Sequence, residues 1–193
     1  LDGNYPVGTG NVALGDTALS SGSLSGGSNT AIGASALSAN TTGAQNTAIG
    51  IEALQNTTSG DNNTAVGRLA LKSNITGSNN TAVGRDALQI NTTGSENSAL
   101  GLFALFNNTT GANNSAFGVQ ALTANTTADN NTAVGFQAGY SNTTGAYSTL
   151  IGMTAGYANT TGQLTGMGAQ VLKSNTTGSS NAAFGVNTLF SNT

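Results

Sequence analysis

Apolar side chains recur along this chain at a fixed step rather than in runs. One column starts at Leu14 and passes through Ile32, Ile49, Val66, Val83, Leu100, Phe117, Val134, Ile151 and Met167 to Phe184, apolar in all eleven copies. A second column, five residues on, is Leu in nine copies, from Leu19 to Leu189, and Gly139 and Gly156 in the other two. A glycine follows every member of the first column, from Gly15 to Gly185, at intervals of 18, then 17 seven times, then 16 and 17. Self-similarity at so short a period means one small unit, copied and stacked.

The unit reads N-T-A-V-G-x-x-A-L-x-x-N-T-T-G-x-x, with positions numbered one to seventeen. It is too short for helical-hairpin repeats, which need roughly thirty-three residues or more. Asn, Thr and Gly recur in every unit and are poor helix formers, whereas Thr, Val and Ile suit strands. The pattern predicts an all-β fold, a parallel β-solenoid or β-roll of about eleven 17-residue coils. A short strand is expected at positions two to four and a second at positions seven to ten. The Gly at five and the Asn-Thr-Thr-Gly at twelve to fifteen are expected at the corners. The two apolar columns, with small residues such as Ala65 and Ala70, are the only core material a coil offers. Ladder hydrogen bonds and association with other copies must then supply stability. The small residues at positions three, five and eight are expected to let another backbone approach.

Residues 1–10 stand outside the repeat, and residues 11–193 form a single array. The chain does not begin with Met and stops within a repeat, so it reads as processed or as a segment of something longer. An array without polar caps exposes strand edges. Head-to-tail stacking is expected, with the N-terminal segment lapping onto a neighbour's last coil. No signal peptide is visible, and no apolar run approaches membrane-spanning length. A nucleic-acid binder needs a basic face. Arg68, Lys72, Arg85 and Lys173 are the only basic residues, too few and too scattered to make one. The absence of His and Cys removes imidazole acid–base chemistry, thiol nucleophiles and most familiar transition-metal sites. The remaining carboxylates are sparse, so no enzyme, cofactor or metal is expected. Zero Cys leaves the redox compartment open.

The block Asn63-Thr64-Ala65-Val66-Gly67-Arg68-Leu69-Ala70-Leu71 resembles the repeat of trimeric autotransporter adhesin heads. Those heads carry a shorter unit with a similar Ser-Val-Ala-Ile-Gly core and fold as trimeric left-handed parallel β-rolls. The longer unit also looks like repeats of bacteriophage tail fibres and large bacterial surface proteins. The resemblance extends from Asn11 to Thr193 and implies an extracellular, cell-surface or virion location.

Three columns are candidates for function. Glycosylation sequons stand at Asn40, Asn56, Asn74, Asn91, Asn108, Asn125, Asn142, Asn159 and Asn175, with a secondary set at Asn62, Asn79, Asn107, Asn113 and Asn130. Each could carry an N-glycan on a surface corner. The competing reading is an asparagine ladder, amides bonded along the rod, with Asn accepting a left-handed corner conformation. Thr or Ser fills position two in nine copies, from Thr30 to Thr165. That is either a strand-forming ladder or an ice-binding array. Phe106, Tyr140, Tyr157 and Phe190 share position ten. They either repack space vacated where Gly139 and Gly156 replace Leu, or form an exposed patch for another protomer or a sugar. Asp61 and Asp129 lack the spaced carboxylates of a calcium loop.

The function expected is a structural, self-associating subunit of an extracellular fibre or shaft, assembling as a head-to-tail filament, a trimer or both. The alternative is an adhesin head or tail-fibre segment binding a cell-surface glycan. The third is an ice-binding protein.

Overall fold

The computed structural model describes residues 9–22 and 24–192. Most of the non-repeat N-terminal segment, and with it the predicted lap onto a neighbour, lies outside the described residues.

Eleven short strands run in chain order: β1 (Val12–Leu14), β2 (Thr30–Ile32), β3 (Thr47–Ile49), β4 (Thr64–Val66), β5 (Thr81–Val83), β6 (Ser98–Leu100), β7 (Ser115–Phe117), β8 (Thr132–Val134), β9 (Thr149–Ile151), β10 (Leu164–Met167) and β11 (Asn181–Phe184). They form one eleven-stranded sheet in the same order, every pairing parallel. Like faces like across each step, as in Thr64↔Thr81, Ala65↔Ala82 and Val66↔Val83. The two irregular intervals leave this intact: Val12 pairs with Thr30, and Thr149 with Thr165. The protein is therefore a β-solenoid, and each strand defines one coil. Ten steps of about 4.8 Å give a rod of about 48 Å.

A second strand at positions seven to ten does not form; those residues make turns. The reason is backbone handedness. Positions seven and nine both take left-handed φ, as at Glu52 (58°) and Leu54 (51°), or Asp86 (60°) and Leu88 (51°). Two left-handed residues two apart curl the chain into an arch. For a leucine this conformation costs about 1–2 kcal/mol. Two contacts offset the cost. The Leu54 amide donates to the Ala70 carbonyl of the next coil at 3.0 Å, and the Leu54 side chain is fully buried. The left-handed residues are thus at positions seven, nine and seventeen, not at the Asn of position twelve.

The interior differs from the expected one. Position three, Ala31 to Ala133, is at most 1% exposed, as are the alanines of position eight and the leucines of position nine across these coils. The first apolar column points outward: Leu14, Leu100, Met167 and Phe184 are about half exposed, at 52, 49, 48 and 65%. Strand alternation explains it, because position three faces in and positions two and four face out. The small residues consequently serve the coil's own stack rather than another chain. Gly67 shows this at the corner. Its φ is +138°, and a Cβ there would lie 2.5 Å from the Gly84 carbonyl oxygen.

Coils eight to ten repack this interior. Leu150 and Gly166 stand where other coils have Ala, and Gly139 and Gly156 stand where others have Leu. A Cβ on Gly156 would fall 2.7 Å from Leu150 Cδ2, and one on Gly139 would fall 3.2 Å from Leu150 Cδ1 and 2.9 Å from Leu122 Cδ2. Leu150 therefore fills the vacated space; the tyrosines of position ten do not. It packs with Ala155, Leu164, Val171, Leu172 and Ala183 in a second apolar cluster.

Candidate functional site

Two asparagine columns run inside the rod. At position twelve, Asn91 Nδ2 donates to Asn74 Oδ1 at 2.9 Å, and Asn108 and Asn125 each repeat the bond to the coil before at 2.8 Å. At position one, the Asn80 amide donates to Asn63 Oδ1 at 3.0 Å. The columns meet at one carbonyl: Asn80 Nδ2 and Asn91 Nδ2 both donate to the Gly94 oxygen at 2.9 Å. A buried amide without partners is costly, and here nearly every donor and acceptor is met by the neighbouring coil.

This placement divides the sequons. Asn40, Asn74, Asn91, Asn108, Asn125, Asn142, Asn159 and Asn175 are completely buried. A glycan on any of them would have to displace the ladder. Asn56 is exposed, because its neighbour Thr57 occupies the ladder position and is itself buried. The secondary positions Asn62, Asn79, Asn113 and Asn130 are exposed on left-handed corners, and Asn107 is half-buried. Thr57 also interrupts the ladder. Asn74 Nδ2 reaches its Oγ1 at only 3.4 Å, and Asn40 Oδ1 has no partner among the described residues.

The threonines serve two roles. At position thirteen they bind along the stack, as where Thr92 Oγ1 donates to the Thr109 carbonyl at 3.0 Å. At position two they line the outer face of the sheet beside the outward apolar column. The outward pair of strands β2 to β10 is thus Thr or Ser with a side chain that varies from Val66 to Phe117, rather than Thr-x-Thr.

The position-ten aromatics do not join into one patch. Tyr140 and Tyr157 stack with centroids 5.1 Å apart and planes 4° from parallel. That separation is close to the coil spacing, so the ring normals run along the rod and the edges face outward. Phe106 meets Phe103 edge-on at 5.4 Å, Lys173 Nζ lies 5.5 Å from the Phe190 ring centroid, and Arg85 lies 5.9 Å from that of Phe103. Sugar recognition by stacking needs an open ring face, and each tyrosine has given one face to the other.

Several charged groups have partners of their own. Lys72 pairs with Glu52 across coils at 2.7 Å, and exposed Arg85 pairs with buried Asp86 at 2.8 Å. Asp61 and Asp129 accept the Ala44 and Ala112 amides at 2.7 Å, as corner acceptors. Among the described residues no three acids, His or Cys converge as a metal site. None of their helices is long and apolar enough to cross a membrane.

No family model, curated protein or solved structure matches this chain. The surface must therefore be read from its own chemistry, and its largest feature is apolar. The corner glycine of each coil is flanked on one side by the outward column at position four. Position six flanks it on the other, with Ile51, Val119, Phe136, Met153 and Val186 exposed at 52, 40, 48, 49 and 70%. The position-four column is apolar in every coil, and position six adds to it except at Asp16, Arg68 and Arg85; exposed apolar area on this scale marks an interaction surface. Reading both columns as core missed it. The signal was present: through coils two to seven positions three and nine hold one residue each, Ala and Leu, whereas position four ranges from Val to Phe.

Proposed function

We propose that the chain is a structural, self-associating subunit of an extracellular fibre or shaft, working mechanically to extend and to present. The supporting observation is an apolar edge that runs the length of a stiff, in-register rod. Its polar groups are turned inward to bind the coils to each other rather than gathered at a site. The outward apolar residues of position four form a column repeated at one pitch, the form of a surface that associates along its length.

Electron microscopy with sedimentation analysis tests this reading. It predicts straight rods that lengthen or thicken with concentration. Single, non-associating particles at all concentrations would overturn it. The two other readings give different results: a specific hit on a glycan array for an adhesin head, and thermal hysteresis for an ice-binding face. The account expects neither, because the tyrosines present ring edges and the outward threonines stand beside side chains of unequal height.

A further inference from the structure

We propose that Asn62, Asn79, Asn113 and Asn130, the asparagines of position seventeen, are acceptor sites for an N-linked sugar on the folded rod, and that folding closes the ladder asparagines of position twelve to the same modification.

The coil geometry separates the two sets of sequons. At position twelve the asparagine points inward, and its Nδ2 hydrogens are spent on the stack, as where Asn91 donates to Asn74 Oδ1 and to the Gly94 oxygen, both at 2.9 Å. At position seventeen the order is reversed. The first residue of the sequon is exposed, and its carboxamide has no partner among the described residues. The middle residue, Asn63, Asn80, Asn114 or Asn131, is at most 1% exposed. The third is Thr64, Thr81, Ser115 or Thr132, outward at position two. The carboxamide and the hydroxyl that define a sequon therefore both face solvent. A sugar is bulky and needs open surface, which this corner supplies. Asn56, exposed at position eleven, is a fifth open acceptor.

Backbone conformation does not account for these asparagines. A left-handed φ favours Asn, and theirs lie at 56 to 60°. Yet Ser28, Gln45, Glu96, Tyr147 and Ser180 hold the same corner at 59 to 61°. Ladder bonding does not account for them either, since their amides bond to nothing in the stack. What asparagine adds at this corner is the amide nitrogen itself. The step is a substitution at the anomeric carbon of a nucleoside-diphosphate sugar, a soluble donor that can meet a folded rod. Asn Nδ2 forms the new carbon–nitrogen bond. The bond from that carbon to the diphosphate oxygen breaks, the nucleoside diphosphate leaves with the electron pair, and one amide hydrogen passes as a proton to the transferase. Position seventeen precedes each strand and position four closes it, so sugars there leave the apolar edge open.

The test treats the intact folded chain with a soluble asparagine glycosyltransferase and a nucleoside-diphosphate hexose, and maps the product by peptide mass spectrometry. A single hexose is the probe because Asn62 and Asn79 lie one coil apart, about 4.8 Å. Incorporation at the four position-seventeen sites and at Asn56 is expected to exceed that at any ladder asparagine by about tenfold or more, since exposing a ladder amide costs its buried hydrogen bonds. Peptides cut from the same chain should accept the sugar in both sets, so that folding alone makes the difference. Thr64→Val, at an outward strand position that suits Val, should abolish the sugar on Asn62 and leave that on Asn79. Sugar on position-twelve asparagines in rods that keep the native circular dichroism would overturn the inference. So would folded rods that stay bare while their peptides accept sugar at position seventeen. A second measurement needs no transferase: Asn79→Cys, in a chain without other cysteines, is coupled to an iodoacetyl sugar. The native spectrum and unfolding midpoint should be kept, and loss of either would overturn the site.

Discussion

Coils two to seven and coils nine and ten follow one outline with different interiors. The first group holds its shape with an Asn column at position one, Ala at three and Leu at nine. The second starts from Ser148 and Leu164 at position one, Leu150 and Gly166 at three, and Gly156 and Leu172 at nine. The changeover leaves a mark: Asn131 Nδ2 is buried without a hydrogen-bond partner among the described residues, whereas Asn114 Nδ2 one coil earlier donates to Asn97 Oδ1 and to the Ala128 carbonyl. Yet the strand pairing continues, with Thr132↔Thr149↔Thr165 in line. The coil outline therefore needs a filled interior and a glycine corner, and it accepts either a hydrogen-bonded or an apolar filling.

The strongest test of this exchange is Leu150→Ala. It empties the space that Leu150 fills beside Gly139 and Gly156, and large-to-small core changes of this kind cost about 2–5 kcal/mol. Thermal or urea unfolding should show that loss. Adding Gly139→Leu and Gly156→Leu to the same chain, which recreates the interior of coils two to seven, should recover part of it. Recovery stays incomplete because two leucines must again be held in left-handed conformation, at about 1–2 kcal/mol each. Additive damage instead would contradict the exchange of volume.

The polar column is of similar size. Asn108→Leu strands Asn91 Oδ1 and an Asn125 amide hydrogen inside the rod and should destabilise by about 2–6 kcal/mol, from two unpaired groups at about 1–3 each. Ser148→Ala, where the position-one column is already ending, strands one buried group, the Leu164 amide, and should cost about 1–3 kcal/mol, half the loss at Asn108. Equal costs at the two sites would remove the distinction between the regions.

A smaller effect has the opposite sign. Thr57→Asn supplies the missing amide between Asn40 and Asn74, and by the same hydrogen-bond scale it should raise stability by about 1 kcal/mol. The smallest concerns the stacked rings. Tyr140→Ser with Tyr157→Ser should lower stability by about 0.5–1.5 kcal/mol, the worth of an aromatic pair beyond its burial. Assembly should stay unchanged, since these rings lie away from the apolar edge. Loss of assembly in that variant would move the interface to position ten.

Much of the scaffold was legible in the chain itself. The spacing located all eleven strands at positions two to four, as well as the in-register stacking and the corner at Gly67 and its equivalents. The asparagine ladder was visible as one of two readings. The arch at positions seven to nine was not legible, because Leu54 and Leu88 adopt a conformation that leucine's own preference opposes; only the stack makes it tolerable. The outward direction of Leu100 and Phe117 was obscured by the rule that large apolar residues go inside. Strand alternation and the uneven size of that column argued the other way. The role of Leu150 was hidden because it compensates glycines eleven residues before and six residues after it, a relation visible only once the coils are stacked.

Diffraction from an aligned preparation of the rods addresses the central claim most directly, that successive coils lie over one another with like residues in register. The account predicts a sharp meridional reflection near about 4.8 Å, from strands lying across the rod axis. A 4.8 Å spacing on the equator alone, or no such reflection, would contradict it.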